Sequence, residues 1–333
     1  MSLLLSPYTI RNMTMNNRVM MSPMGMVSAQ EDGKVNDWHM LHYGARALGQ
    51  VGLIMLEVSA VDKHGKDYGS LGIWEDAQME GMRRLVSLLQ AQGSKVGIQL
   101  WHAGRKSDIP GHAVSASGLS HGDQDSRALT IAEIQQTIQH FREAAIRAVK
   151  AGFDVIELHA AHGYLLNDFL SSYTNRRTDA YGGTVDKRYR LLSEVIAAVR
   201  DVWEGPLFVR VSADEYGEEG NRIEHTVQYT NRMKEQGVDL IDVSSGGVYP
   251  DKPNVYPGYQ VPYAEAIHRQ SDIATAAVGL ITTGTEAEAI LNKGQADVIA
   301  IGRALLRDPF WVRTAALQLH ESILAPQPYR AAW

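Results

Sequence analysis

Apolar positions in this chain fall into two kinds of run. Eight segments are nearly continuous in apolar and β-branched residues: Val19–Met24, Leu53–Val61, Lys95–His102, Asp154–Ala160, Pro206–Ser212, Leu240–Ser244, Ala274–Ile281 and Val298–Ile301. Most lack a clean polar alternation, as expected of parallel strands covered on both faces. Between them apolar residues recur at helical spacing. Ile134, Ile138, Phe141, Ala145 and Ala148 form one stripe, opened by a capping box of Thr130 with Glu133 and closed at Gly152. Leu191, Leu192, Val195, Ile196, Val199 and Val202 form another. Thr285 with Glu288 reads as a second capping box, for a helix that stops near Gly294, and Met233 with Gly237 marks the helix before strand six. Strand–helix alternation repeated eight times predicts an α/β fold, a single-domain (β/α)8 TIM barrel, over an open doubly wound sheet.

The 333 residues exceed the roughly 250 of a typical barrel, which leaves room for an N-terminal cap and long βα loops. No Pro/Gly/Ser linker divides the chain, so residues 1–333 read as one domain. The 44% hydrophobic content and net charge of -6 exclude a mainly disordered chain. With 32 Lys+Arg against 38 Asp+Glu there is no basic excess to hold nucleic acid. No apolar run reaches the about 18 residues that would indicate a membrane span. Met1–Ile10 lacks the early positive charge and the cleavage site of a secretory signal. The absence of cysteine excludes disulfides, thiolate metal sites and a cysteine nucleophile. A soluble, cytoplasmic protein acting on a small molecule is the expectation.

In a barrel, residues just past each strand converge on one face. Gly279 after strand seven, Gly284-Thr285, and Gly302-Arg303 after strand eight place small residues before helix N-termini. Their backbone N–H groups, with the charge of Arg303, suit a phosphate; tight turns alone are the other reading. His159, His162 and Tyr164 lie just past strand four. A structural pair of histidines is one reading; a metal site lacks a third ligand. The chemical reading is two imidazole donors that polarise a carbonyl, beside a phenol able to deliver a proton. Gln99 and Arg210 sit on inward strand ends. They are either satisfied barrel polar residues or an amide and a guanidinium matched to the edge of a flavin pyrimidine ring.

Taken in order, Ser22-Pro23-Met24, Gly97-Ile98-Gln99-Leu100, His102-Ala103-Gly104-Arg105-Lys106, His159-Ala160-Ala161-His162-Gly163-Tyr164, Asn175 through Gly183, Phe208-Val209-Arg210-Val211-Ser212 and Ile301-Gly302-Arg303 make the whole chain resemble the old yellow enzyme family. The branch is the bacterial, thermophilic-like one often named NADPH dehydrogenase. The resemblance implies tight, non-covalent FMN, NADPH as reductant, and ping-pong reduction of an activated alkene. It implies that Ser22, Pro23, Met24, Gly25 and Val58 line the flavin and that Gln99 and Arg210 bond its pyrimidine edge. Gly302 and Arg303 would hold the phosphate. His159 and His162 would bind the substrate oxygen, and Tyr164 would protonate the α-carbon. Val27 and Trp101 would line the substrate side.

Three positions depart from that branch, which has a cysteine at Gly25, a tyrosine at Val27 and a small residue at Trp101. The first two should leave the pocket roomier and less polar on that side, with a shifted flavin potential, while Trp101 either refills the space or is core. The branch also reaches an arginine from a neighbouring subunit's tail into the site. Residues 326–333 carry Arg330 one position from that place, which suggests a homodimer or homotetramer. The Gly-, Ser- and Asp-rich loop 108–127 is expected to lie over the site. Within the family, the missing cysteine and tyrosine leave a quinone or nitro reductase, or a double-bond isomerase, as alternatives. Outside it, a flavin-free aldolase or isomerase on a phosphorylated substrate suits the phosphate site. That reading lacks a lysine at a strand end, since Lys106 lies beyond strand three.

Overall fold

The computed structural model describes residues 2–250 and 253–331. The eight apolar runs form the strands Val19–Met21 (β1), Leu53–Ala60 (β2), Lys95–Trp101 (β3), Val155–Ala160 (β4), Leu207–Ser212 (β5), Leu240–Ser244 (β6), Ala274–Ala277 (β7) and Val298–Ile301 (β8). Each pairs in parallel with the next, and β8 returns to β1 with Ile301 opposite Met21, so the sheet closes into a barrel. Helices Asp37–Leu48, Met79–Gln90, Ile131–Ala151, Val185–Arg200, Ile223–Glu235, Val261–Ser271, Gly284–Asn292 and Trp311–Gln318 come after the strands in turn.

The runs read as continuously apolar because each strand is buried on both sides, in two separate apolar layers. Ile54, Leu56, Ile98, Leu158, Val209, Ile241 and Ile299 belong to the cluster shared with the helices. Residues of the opposite parity, including Leu53, Met55, Val155, Phe208 and Leu240, fill the base of the barrel. An antiparallel hairpin, Tyr8–Ile10 with Met13–Met15, puts Ile10, Met13 and Met15 into that same cluster. This is the expected N-terminal cap.

β1 and β7 end three or more residues short of their apolar runs. Ser22 still donates its N–H to Ile301 (3.0 Å), but Pro23 has no N–H and ends β1. In β7, Gly279 at φ 133° and Leu280 at φ 56° turn the chain away. The capping box of Thr130 with Glu133 is present, as is the left-handed Gly152 at φ 87°. The second box is not the expected one. The helix opens at Thr283, which pairs with Glu286. Glu288 instead accepts the N–H groups of Leu3 (2.9 Å) and Leu4 (2.8 Å) and the Ser2 hydroxyl (2.6 Å).

Loop 108–127 is tied down at Val114–Ala116 and at its C-terminal end. Val114–Ser115 pairs with Arg127–Ala128, and the Ala116 N–H donates to Asp168 at 2.6 Å. Arg177 donates to the carbonyls of Ala116 and Leu129, each at 2.7 Å. The stretch Asn175 to Gly183 thus acts as a support for this loop.

Candidate active site

Following the inward parity up each strand gives the floor of the site. Above Gly97, Val155, Phe208 and Leu240 come Gln99, Glu157, Arg210 and Asp242; two residues further stand Trp101, His159, Ser212 and Ser244. The Arg210 guanidinium is 3.1 Å from Asp242, and it donates to the Pro23 carbonyl (3.2 Å) and the Ser22 hydroxyl (3.4 Å). Gln99 donates through Nε2 to Glu157 at 2.8 Å, while its buried carbonyl oxygen has no partner among the described residues.

The loop after β4 carries the reactive groups. His159 and His162 meet edge to face with centroids 5.2 Å apart, and Tyr164 lies 4.9 Å from His159. His162 sits at φ 61°, so its carbonyl turns away and accepts from Lys106 Nζ at 2.7 Å. The same ammonium holds the Gly247 carbonyl at 2.6 Å, which joins the loops after β4 and β6. A side chain cannot stand at Gly247, where a Cβ would lie 2.7 Å from the His162 Cα. His162 Nε2 is 2.7 Å from the Ser244 hydroxyl.

Burial drives both imidazoles well below the usual histidine range. The Arg210 and Lys106 charges push both the same way, and His162 adds to the effect on His159. Both are neutral at physiological pH. Burial pushes the Tyr164 phenol up to about 12, helped by Asp67 and opposed by Arg210. Tyr164 is therefore a neutral donor, with Lys106 Nζ 5.3 Å from its ring centre.

These residues surround a cavity of about 430 Å³. Pro23, Gly25, Val27, Val58, Gln99, Trp101, His159, His162, Tyr164 and Arg210 all line it. Trp101 is buried in the upper barrel and packs edge-on against Tyr164 with centroids 5.2 Å apart. A second cavity of about 330 Å³ shares Pro23, His162 and Arg210 and runs on past Ser22, Met24, Gly279, Gly302 and Arg303. Gly302 caps the short helix Arg303–Arg307. Gly284 and Thr285 do not face this cavity. Ala315 packs on Gly284, whose N–H goes to Gln318 at 2.6 Å.

Sequence reasoning missed several wall residues. Asp67, Tyr68 and Ser70 come from the loop after β2, and Tyr259 and Gln260 from the loop after β6. Nothing in their local pattern marks them. Arg307 in the second cavity carried a signal, since it stands one helical turn after Arg303. Glu57 is buried beneath the loop after β1, where it accepts the Met26 N–H at 2.9 Å and the Tyr43 hydroxyl at 3.2 Å. Burial pushes it up to about 7 against those hydrogen bonds.

The family described as NADH:flavin oxidoreductase / NADH oxidase matches residues 3–322. The chain belongs to this family. A relative named NADPH dehydrogenase from Geobacillus sp. (strain WCH70) is 53% identical, covering 100% of this chain and 99% of its own. Morphinone reductase has the same fold at a TM-score of 0.83 and 27% identity, over 99% of this chain and 92% of that one. The old yellow enzyme homologue from Zymomonas mobilis aligns at a TM-score of 0.81 and 27% identity, over 97% and 94%. Membership in the NADH:flavin oxidoreductase / NADH oxidase family makes the protein a flavin-dependent oxidoreductase of the old yellow enzyme type. Among the described residues no helix is long and apolar enough to cross a membrane.

Proposed function

We propose that the protein is an FMN-dependent NADPH oxidoreductase that reduces activated carbon–carbon double bonds, as in enones, enals and maleimides, and also nitro compounds. The observation that carries this is two neutral imidazoles and a neutral phenol on the wall of a cavity floored by Gln99 and Arg210.

The residues fit FMN at both ends. The unpartnered Gln99 carbonyl suits the ring imide N–H, and Arg210 supplies donors beside it. Gly302, Arg303 and Arg307 offer the phosphate a helix N-terminus and two guanidinium groups. Bound FMN supplies the redox chemistry, a hydride received from NADPH and passed to the alkene.

The chain's residues bind, polarise and protonate. His159 donates a neutral imidazole N–H to the substrate oxygen and so favours the enolate that develops there. His162 joins it by exchanging its bond to Ser244, whose hydroxyl keeps Gln260 at 3.3 Å. Tyr164 Oη delivers its proton to the α-carbon. Trp101, packed edge-on, fixes the phenol and keeps water from that side.

An absorption spectrum tests this reading directly. Flavin bands should bleach with anaerobic NADPH and return on adding an enone. Bands that return only with a quinone, a nitro compound or oxygen would move the substrate class. No flavin bands even with added FMN would overturn the assignment.

One observation favours the quinone and nitro reading as a second activity. A Cβ placed at Gly25 would meet nothing within 4 Å, and Val27 beside it is 64% exposed, so this wall admits broad, flat acceptors. Gly25→Cys should therefore fold without loss of stability, narrow the pocket against quinones, and shift the flavin potential. Identical potentials in redox titrations of the two proteins would sink the tuning part.

We further propose a homodimer or homotetramer in which Arg330 meets a neighbouring site. The described tail ends in the short turn Gln327–Tyr329, with Tyr329 near Phe310 at 6.4 Å; Ala332 and Trp333 lie outside the described residues. An unchanged mass in solution and unchanged turnover after removal of residues 326–333 would count against it.

A further inference from the structure

We infer that Glu157 holds a proton in the folded protein and fixes which end of the Gln99 amide faces the cofactor. The part concerning Gln99 rests on the proposed flavin site; the part concerning the proton does not.

The inward layer formed by Gln99, Glu157, Arg210 and Asp242 contains two carboxyl groups and one cation. Gln99 stands opposite Glu157 across β3 and β4, and Arg210 opposite Asp242 across β5 and β6. Gln99, Glu157 and Asp242 are 0% exposed and Arg210 is 8% exposed. The guanidinium belongs to Asp242, at 3.1 Å. Among the described residues the Glu157 side chain has one hydrogen bond, from Gln99 Nε2 at 2.8 Å. Its Oε2, and both oxygens of Asp242, have no hydrogen-bond donor among the described residues.

Those contacts decide the charge. With both carboxyls ionised the layer would carry a net negative charge in a dry interior, where an uncompensated ion is strongly disfavoured. The surrounding groups offer no relief. His159, above Glu157 on β4, is neutral, and Gln99 brings only a dipole. A single proton cancels the excess. Asp242 touches the guanidinium and keeps its charge, so Glu157 takes the proton, on the oxygen that no donor reaches. Burial pushes both carboxyls up against the pull of Arg210; Glu157 goes well up, with the Asp242 charge pushing the same way and Gln99 opposing.

The consequence lies one layer higher. Because Glu157 Oε1 accepts from Gln99 Nε2, the amide is locked with its carbonyl oxygen free, and Gln99 lines the upper cavity. The pyrimidine edge of a flavin presents one N–H between two carbonyls. An acceptor from Gln99 meets that N–H, and donors from Arg210 meet a carbonyl beside it. Glu157 is thus a positioning residue, two steps from any reacting atom.

Infrared difference spectroscopy of the FMN-loaded protein against Glu157→Gln tests this. The comparison is made at alkaline pH, where Glu57 and Glu215, both raised to about 7, have ionised. The wild type should show a protonated-carboxyl stretch that the variant lacks. Asp242→Asn should lose it too, because Arg210 then pairs with an ionised Glu157; this variant reads the same band should Glu157→Gln fail to fold. The FMN Kd should stay near the wild-type value in Glu157→Gln, whose amide oxygen still accepts from Gln99, and rise about tenfold in Glu157→Leu, as expected for one misdirected hydrogen bond. A carboxyl region identical in wild type and Glu157→Gln would overturn the proton. An unchanged Kd in Glu157→Leu would overturn the locking of Gln99. The same band is read on protein stripped of FMN. Failure of the wild type to bind FMN would therefore sink the flavin reading and leave the proton standing.

Discussion

Tyr164→Phe should slow enone reduction about 100- to 10,000-fold, the usual worth of a positioned general acid, and leave reduction of the flavin by NADPH at the wild-type rate. The split comes from geometry. The phenol stands over the cavity, edge to face with His159 and Trp101, rather than among the floor residues Gln99 and Arg210. Phenylalanine keeps both ring contacts, so the variant should fold normally. Because burial holds the phenol near about 12, the wild-type alkene step should stay flat across neutral pH and fall only on the alkaline side, where the proton is lost. Stopped-flow measurement of the two half-reactions checks both points. A loss of less than tenfold in the alkene step would mean that the proton comes from elsewhere, with water entering past Val27 the first suspect.

The barrel and the reactive cluster were legible in the sequence for a common reason. Strands buried on both faces announce themselves as unbroken apolar runs, and the residues just past the C-terminal end of every strand must gather at the same end of the barrel. His159, His162, Tyr164, Gln99, Arg210 and Arg303 were found that way, and the structure gathers them around two abutting cavities. Local pattern failed where the deciding contact was distant. Thr283-Gly284-Thr285-Glu286-Ala287-Glu288 contains two overlapping capping boxes, and only the claim of Ser2, Leu3 and Leu4 on Glu288 selects the first. Asp67 carries a carboxyl pushed up to about 6 by burial and by Asp108. It reaches the cavity from the loop after β2, where Gly69 packs closely on Val27, a contact between distant segments that no spacing rule reports. The polar layer inside the barrel was half seen: Gln99 and Arg210 were noticed, while Glu157 and Asp242 hid within apolar runs.

Arg303→Ala should weaken FMN binding about 10- to 100-fold, the range for one charged hydrogen-bonding group, and Arg307→Ala should do so to a smaller extent. Both guanidinium groups border the same cavity, and among the described residues neither is held by an acidic side chain. Their removal leaves no carboxylate orphaned, so stability without the cofactor should hold. Titration of the stripped protein with FMN at two salt concentrations checks this, because exposed arginines facing a dianion should lose affinity as salt rises. Equal affinities in wild type and Arg303→Ala would place the phosphate elsewhere.

The seam between β8 and β1 has a consequence for how the protein is made. Ser22 and Pro23 follow the first strand of the barrel, Gly302 and Arg303 the last, and the two segments become one site only when Val298–Ile301 zips onto Val19–Met21. Loop closure over nearly the whole chain is slow compared with helix formation. The complete cradle therefore forms only with the last pairing, and until then the unpaired edges of β8 and β1 are open to neighbouring sheets.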